Sequence, residues 1–172
     1  MNTAQLKKPR FSGATLAKLV GITVKQFFNL RATGLMIDKS RYSLQDVFFV
    51  ALCNDFRVRA NKSWLSIIKL FETVFKDLET AENIDFINND VLTIGFDGDK
   101  DYYDFMSINT PFIQVILNKY NYQQNDSFNS FCITIDHHES CYINLLKIRR
   151  TIINRAKELD LKVDVERVLL SA

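Results

Sequence analysis

Glycine, proline and histidine are scarce in this chain, and it has no long hydrophobic run. Its 172 residues include five Gly, two Pro and two His. No glycine-rich phosphate loop, nucleophile elbow or Ser, His and Asp arrangement is visible. We therefore expect neither an enzyme nor a cofactor. No apolar segment approaches the roughly 20 residues that span a bilayer, so we expect no membrane partner.

Cysteine is also sparse. Cys53, Cys132 and Cys141 are odd in number and show no close pairing in the sequence, which favours reduced thiols in a cytoplasm. Residues 1–10 are polar and basic with no apolar segment behind them, unlike a secretory signal. The sequence therefore predicts a cytoplasmic protein.

Acidic residues are few in the first third of the chain. The net charge is +2 overall, but residues 1–62 hold six Lys and five Arg against three Asp, a net charge of +8. Residues 63–172 have a net charge of −6. A basic segment joined to an acidic remainder favours a polyanionic partner for the basic part. An unevenly charged surface without such a partner is the alternative.

Two short helices joined by a turn are predicted near the N-terminus. Apolar residues at helical spacing lead up to Gly21, which would end the first helix with a positive φ. Thr23 is the predicted N-cap of a second helix over 24–32. In that helix Phe27 and Leu30 are three residues apart and are predicted to face the core.

A small hairpin and a third helix are predicted next. Residues 35–37 form a short apolar strand, and residues 41–42 would lie on the returning strand. Ser43 and Asp46 resemble a capping pair at the start of a helix over 44–59.

The remainder has a mixed helical and strand pattern. Asp97-Gly98 is a strong hairpin signal. A wide apolar stripe from Trp64 to Leu78 must be covered, either by another part of the fold or by a second chain. The second possibility leads us to expect a homodimer. The further predicted elements are strands over 91–96, 102–108 and 131–135 and helices over 110–120, 140–159 and 163–170.

The N-terminal pattern matches that of a known family. The segments LAKLVGIT (16–23), GLM (34–36) and RYSLQDV (41–47) together resemble the MerR-type winged helix-turn-helix, over roughly residues 11–80. That family has a glycine turn, a capping Ser or Thr, a Gly-Leu-Leu at the wing and an Arg-Tyr-Ser before the next helix. The resemblance implies that the second helix enters a major groove and that the wing contacts phosphates beside it.

The resemblance also implies a set of DNA contacts. On the wing, Arg41 would pair with a phosphate and the Tyr42 hydroxyl would add a hydrogen bond. Thr23, Lys25 and Gln26 would lie at the start of the recognition helix. Along this helix, asparagine and glutamine can read adenine and arginine can read guanine. The candidate DNA-binding residues are Thr15, Lys18, Thr23, Lys25, Gln26, Asn29, Arg31, Lys39, Arg41 and Tyr42.

The middle of the recognition helix departs from the family. Phe28, Asn29 and Leu30 stand where an Arg followed by two Tyr is usual. Phe28 cannot donate a hydrogen bond, so either it packs inward or the base contacts have moved to its polar neighbours. Arg31 occupies a position that is usually acidic, so it either contacts DNA or pairs with an acid within the protein.

One cluster resembles a metal site. His137 and Cys141 are four residues apart and could face one ion on an early helical turn. Few ligands are local and no CxxC accompanies them, so a strand-to-helix turn with a buried cysteine is the favoured interpretation, and no metal is expected.

These patterns predict an α+β fold in three parts. A flexible basic arm (1–10) precedes a mostly helical winged helix-turn-helix with its following helix (11–82) and an α+β domain with a small antiparallel sheet (83–172). The predicted function is a transcription regulator that binds double-stranded DNA, with a small-molecule or protein effector at the C-terminal domain. Two alternatives stay open. One is an excisionase-like architectural protein of a mobile element, and the other is a protein-interaction module or inhibitor that no longer binds DNA.

Overall fold

Helices precede a small antiparallel sheet in this α+β fold. The computed structural model describes residues 6–34, 36, 38–60, 63, 89–97, 100–119, 130–135 and 138–161. The predicted fold class is confirmed in this part of the chain, which holds five helices and four strands. In chain order they are α1 (Gly13–Val20), α2 (Val24–Ala32), α3 (Leu44–Ala60), β1 (Val91–Asp97), β2 (Lys100–Met106), α4 (Pro111–Lys119), β3 (Phe131–Ile135), β4 (His138–Asn144) and α5 (Leu145–Glu158).

The ends of the first three helices follow the predicted capping residues. Gly21 ends α1 with a φ of 77°, and its amide donates to the Ala17 carbonyl at 2.9 Å. This left-handed conformation suits glycine because it has no Cβ. At the start of α3, the Ser43 amide donates to the Asp46 carboxylate at 2.7 Å, and the Asp46 amide donates to the Ser43 hydroxyl at 3.2 Å. The predicted capping pair is confirmed.

The four strands form one antiparallel sheet in the order β2-β1-β4-β3. Strands β1 and β2 pair from Val91 opposite Met106 to Asp97 opposite Lys100. The predicted hairpin after Asp97 is therefore present. Strand β2 begins and ends two residues earlier than the predicted strand over 102–108.

Strand β4 corrects one sequence prediction. Residues 140–144, predicted as the first turns of a long helix, lie in the strand between β1 and β3. The helix α5 begins only at Leu145, because the side chain of Asn144 accepts a hydrogen bond from the Lys147 amide at 2.9 Å and caps it.

The sheet separates two apolar clusters, since alternate residues of a strand face opposite sides. The larger cluster is shared by the N-terminal helices, α5 and one sheet face, so the two predicted domains have a common core. Its members include Leu16, Leu19, Phe48, Leu52, Leu92, Ile94, Ile143, Ile148 and Ile152. The smaller cluster lies on the other face, against α4, and comprises Val91, Ile108, Ile113, Leu117 and Tyr142.

Helix α5 is bonded directly to the turn that follows α1. The guanidinium of Arg155 donates hydrogen bonds to the carbonyls of Leu19 and Val20. These carbonyls lie at the end of α1, where no helical partner follows. A Cβ added at Gly21 would overlap the same guanidinium, so this position needs glycine for space as well as for its φ.

The first residues described are packed, in contrast to the predicted flexible arm. Leu6 is fully buried in the larger cluster. The amides of Arg10 and Phe11 donate to the Tyr42 carbonyl at 2.8 and 2.9 Å. The description of residues 6–10 as a flexible arm is therefore corrected.

Several sequence predictions concern residues that the structure does not describe. The apolar stripe from Trp64 to Leu78, and with it the basis for a homodimer, lies outside the described residues, as does the helix over 163–170. Among the residues that are described, no helix is both long and apolar enough to cross a bilayer.

Two cysteines are joined across the sheet. Cys132 of β3 and Cys141 of β4 are register partners with a Cα–Cα distance of 4.0 Å and form a disulfide. This corrects the expectation of unpaired thiols: the two cysteines are nine positions apart in sequence, but antiparallel pairing brings them face to face. The third cysteine, Cys53, is buried.

We predict that reducing this disulfide lowers the free energy of unfolding by about 2–3 kcal/mol, because the short loop it closes in the unfolded chain is released. Urea unfolding with and without a reductant measures the difference. A Cys132→Ser/Cys141→Ser variant is the control, since its midpoint should not respond to reductant. Equal midpoints for the native chain in both conditions would contradict the prediction.

We also predict that Gly21→Ala destabilises the protein by about 2–4 kcal/mol, through backbone strain and displacement of Arg155. Gly34→Ala is the matched control, because Gly34 has a φ of 79° but no described atom within 4 Å of its added Cβ. That variant should lose only about 1–2 kcal/mol. In an Arg155→Ala background the two glycine substitutions should cost the same. If Gly21→Ala still costs more than Gly34→Ala in the Arg155→Ala background, displacement of Arg155 is not the cause of the difference.

Candidate nucleic-acid interface

Helix α2 starts with a reciprocal capping box. The Gln26 amide donates to the Thr23 hydroxyl at 3.1 Å, and the Thr23 amide donates to Gln26 Oε1 at 2.8 Å. The Thr23 hydroxyl lies 3.1 Å from the same Oε1. To read an adenine edge, the side-chain amide of Gln26 would need both its oxygen and its NH2 group. The oxygen is already used in the helix cap, so base contact competes with the cap.

The two faces of α2 differ sharply. Phe27 and Leu30 are fully buried, as predicted, and hold the helix against the core. The outward face carries two polar side chains, Lys25 and Asn29, and two apolar ones, Val24 and Phe28, all of them exposed. Phe28 is 52% exposed, so it does not pack inward.

Arg31 is engaged within the protein. Its guanidinium forms an ion pair with Asp38, and its Cζ atom lies 5.2 Å from the centroid of the Phe28 ring. Of the two alternatives for Arg31, contact with DNA or pairing with an acid within the protein, the structure shows the second, and the acid is Asp38. A contact between Arg31 and a guanine would have to replace this pair.

Tyr42, on the returning strand of the predicted wing, pairs with the N-terminal segment of the chain. Tyr42 forms an antiparallel bridge with Phe11, and its amide donates to the Phe11 carbonyl at 2.8 Å. Met36 lies in a bend, while Leu35 and Ile37 are outside the described residues.

Tyr42 is buried, with 1% of its surface exposed. Its ring packs edge-on against Phe27, with centroids 5.2 Å apart. The backbone amide of Lys39 donates a long hydrogen bond of 3.5 Å to the Tyr42 hydroxyl. The predicted phosphate contact of Tyr42 is therefore corrected: its large apolar ring completes the core beneath α2.

The other predicted wing residues remain near the surface. Lys39 Nζ donates to the buried Asp46 carboxylate at 2.8 Å, which attaches the segment before α3 to its cap. Arg41 is exposed and donates to the Arg10 carbonyl at 3.2 Å.

A depression of about 280 Å³ joins this segment to the N-terminal residues. Three cationic side chains line it: Lys7, Lys39 and Arg41. Lys7 was missing from the sequence-based candidates, because a basic residue in a presumed arm carries no spacing signal. Asp46 also lines the depression, so part of the positive charge is already neutralised.

The two candidates in α1 differ in availability. The Thr15 hydroxyl lies 3.0 Å from the Ser12 hydroxyl and is part of the start of the helix. Lys18 is exposed in the last turn of α1.

The possible metal ligands lack the required geometry. Cys141 lies in a strand and is bonded to Cys132, so the helical spacing on which the pair with His137 depended does not exist. His137 itself is outside the described residues. Within the described part of the chain, no cluster of three His, Cys, Asp or Glu side chains could hold an ion.

A second cavity, of about 160 Å³, lies between α1, α3 and α5. Its floor is apolar and includes Ala51 and Ile148, and its polar lining includes Asp55, Thr151 and Arg155. One oxygen of the Asp55 carboxylate is buried without a hydrogen-bond partner.

Comparison of the chain with family models, curated proteins and solved structures found no match. The functional interpretation therefore depends on the residues described above.

We predict that Gln26→Ala lowers the free energy of unfolding by about 1 kcal/mol, since Thr23 loses its hydrogen bonds to Gln26 Oε1, while the backbone amide of residue 26 still donates to the Thr23 hydroxyl. Thermal unfolding measures the change. Lys25→Ala, one position earlier and exposed, is the control and should stay within about 0.5 kcal/mol of the native chain. Equal effects of the two substitutions would argue against a structural role for Gln26.

Proposed function

We propose that this protein is a cytoplasmic transcription regulator, without enzymatic activity, that inserts α2 into the major groove of double-stranded DNA. The observation that carries the proposal is the asymmetry of α2. One face is anchored in the core by Phe27 and Leu30, and the opposite face is exposed. A helix held in this way leaves its outer side chains available to base edges, and the major groove admits a helix.

Two exposed polar residues of α2 suit base recognition. The Asn29 amide can both donate and accept, which matches the N7 and N6 groups of adenine. Lys25 can donate to the O6 and N7 acceptors of guanine. These two residues carry the proposed polar base contacts, because the side chains of Gln26 and Arg31 already have partners within the protein.

Phosphate contacts are assigned to the cations around α2. Arg41 is exposed beside the basic depression that Lys7 and Lys39 also line. Lys18 and the amino end of α2 at Thr23 are further candidates, since helix N-termini favour phosphate groups. The net charge of +8 over residues 1–62 supports a polyanionic partner for this side of the molecule.

The proposed cytoplasmic location has a consequence for the sheet. Thiols are kept reduced in most cytoplasms, so the disulfide between Cys132 and Cys141 should be open there. Backbone pairing of β3 with β4, from Phe131 opposite Tyr142 to Ile135 opposite His138, holds the two strands together besides that bond.

We further propose that an effector acts where α5 meets the N-terminal helices. The 160 Å³ cavity lies there and combines an apolar floor with the charged side chains of Asp55 and Arg155. A homodimer remains part of the proposal, but its basis lies in residues 64–78, outside the described chain. Sedimentation of the protein, alone and with DNA, measures that association.

The exposed apolar residues favour a second candidate function. Val24 and Phe28 would also suit a protein-interaction module that has kept this scaffold. An excisionase-like architectural protein would use the same DNA interface and would differ by bending the DNA.

We predict that Arg41→Ala weakens binding to all DNA sequences and lowers the salt slope, the decrease of log K with log salt concentration, by about 0.9 for the lost phosphate contact. Asn29→Ala should instead change the preferred base at one position, by about 1–3 kcal/mol. Selection of DNA from a random pool, followed by electrophoretic shifts over a salt series, measures both effects.

Lys119→Ala is the charge-matched control for Arg41→Ala, because α4 packs on the opposite face of the sheet. It should leave both the salt slope and the base preference unchanged. The DNA-binding proposal fails if the native chain binds no DNA in a salt-dependent manner. If Arg41→Ala and Lys119→Ala behave alike, the assignment of Arg41 to a phosphate is wrong.

A further inference from the structure

The outward face of α2 carries an apolar pair that the proposed polar contacts do not use. Val24 is 40% exposed and Phe28 is 52% exposed. The two residues are four apart, so they are neighbours on one side of the helix. They lie among the exposed polar residues Lys25 and Asn29, on the same surface that is proposed to enter the groove.

Two side chains of the protein, those of Arg31 and Phe27, lie beside the Phe28 ring. The guanidinium of Arg31 lies over it, with Cζ 5.2 Å from the ring centroid, and Asp38 in turn pairs with Arg31. The Phe27 ring, itself buried, lies 6.0 Å away between centroids. These contacts limit the orientations of Phe28, so less conformational entropy is lost when its free face meets a ligand.

A major groove offers one apolar group on its base edges, the C5-methyl of thymine, and phenylalanine is among the side chains that contact it. Thymine presents this methyl group beside its O4 acceptor, whereas the other three bases present only donors and acceptors, which a phenyl ring would leave without partners. An exposed aromatic ring on a groove-reading face therefore discriminates in favour of thymine.

We infer that Val24 and Phe28 form a thymine-reading surface that selects DNA sites through the C5-methyl groups of one or two thymines. Arg31 acts as a positioning residue that holds the ring, and Asp38 fixes Arg31. This inference rests on the proposed DNA binding. The net charge of +8 over residues 1–62 and the interleaved Lys25 favour DNA over a protein partner for this apolar pair.

Deoxyuridine tests the inference, since it differs from thymidine only by the absence of that methyl group. A duplex selected by the native chain is resynthesised with deoxyuridine at one thymidine position at a time, and affinities are measured at fixed salt. At one or two positions the native chain should bind about three- to fivefold more weakly, as expected for the loss of one buried methyl contact. At those positions Phe28→Ala should bind thymidine and deoxyuridine duplexes equally.

Phe112→Ala is the matched control. Phe112 is 50% exposed on α4, so the substitution removes a phenyl ring of similar exposure away from α2, and the deoxyuridine effect should persist in full. Circular dichroism of both variants checks that their folds are unchanged.

The outcomes separate this inference from the proposal beneath it. Absence of any salt-dependent DNA binding by the native chain overturns the proposed function and this inference with it. Sequence-selective binding that deoxyuridine never weakens overturns the inference alone. The inference alone is also overturned if Phe28→Ala still binds deoxyuridine duplexes more weakly than thymidine duplexes. It is overturned as well if Phe28→Ala binds DNA with native-like affinity, a result that would favour a protein partner for the apolar pair.

Discussion

Arg155 joins α5 to the turn from which α2 departs, and the arrangement of the described helices depends on that contact. Its guanidinium donates to the Leu19 and Val20 carbonyls and occupies the space that a side chain at Gly21 would need. A cation at the carboxyl end of a helix also has a favourable interaction with the helix dipole. Because the turn sets the direction in which α2 leaves α1, the orientation of α2 is coupled to the position of α5.

Helix α5 is also bonded to the segment that leads into the sheet. Arg149 of α5 donates to the Asn89 carbonyl at 2.6 Å and to the Asp90 carboxylate at 3.3 Å, just before β1. Burial lowers the pKa of Arg149, and the charge of Asp90 opposes that shift. Both residues of the pair are half-buried. Helix α5 is thus bonded to the sheet through Arg149 and to α1 through Arg155. Movement of α5 relative to either one would change the 160 Å³ cavity beside Arg155.

Local patterns predicted the elements well where a capping residue marked their ends. Gly21 and the Ser43 pair with Asp46 gave correct boundaries because each acts on its own neighbouring backbone. Strand β4 was missed because its identity depends on pairing with β1 and β3, which are distant in sequence. The Asn144 cap was the available signal that the helix begins later. The disulfide was missed for the same reason, since only the register of β3 and β4 brings its cysteines together.

The candidate interface shows why residue types predict a scaffold more readily than its contacts. Gln26, Arg31 and Tyr42 all have groups that could bind DNA, yet each is used internally: in a cap, in an ion pair and in the core. A side chain already bonded in this way must exchange one partner for another on binding, so its net contribution to affinity is small. Under the proposed function, discrimination between DNA sites would therefore fall to the side chains without such bonds. On the outward face of α2 these side chains are two apolar ones, Val24 and Phe28, and two polar ones, Lys25 and Asn29. This composition favours selection of DNA sites by shape and methyl contact alongside hydrogen bonds.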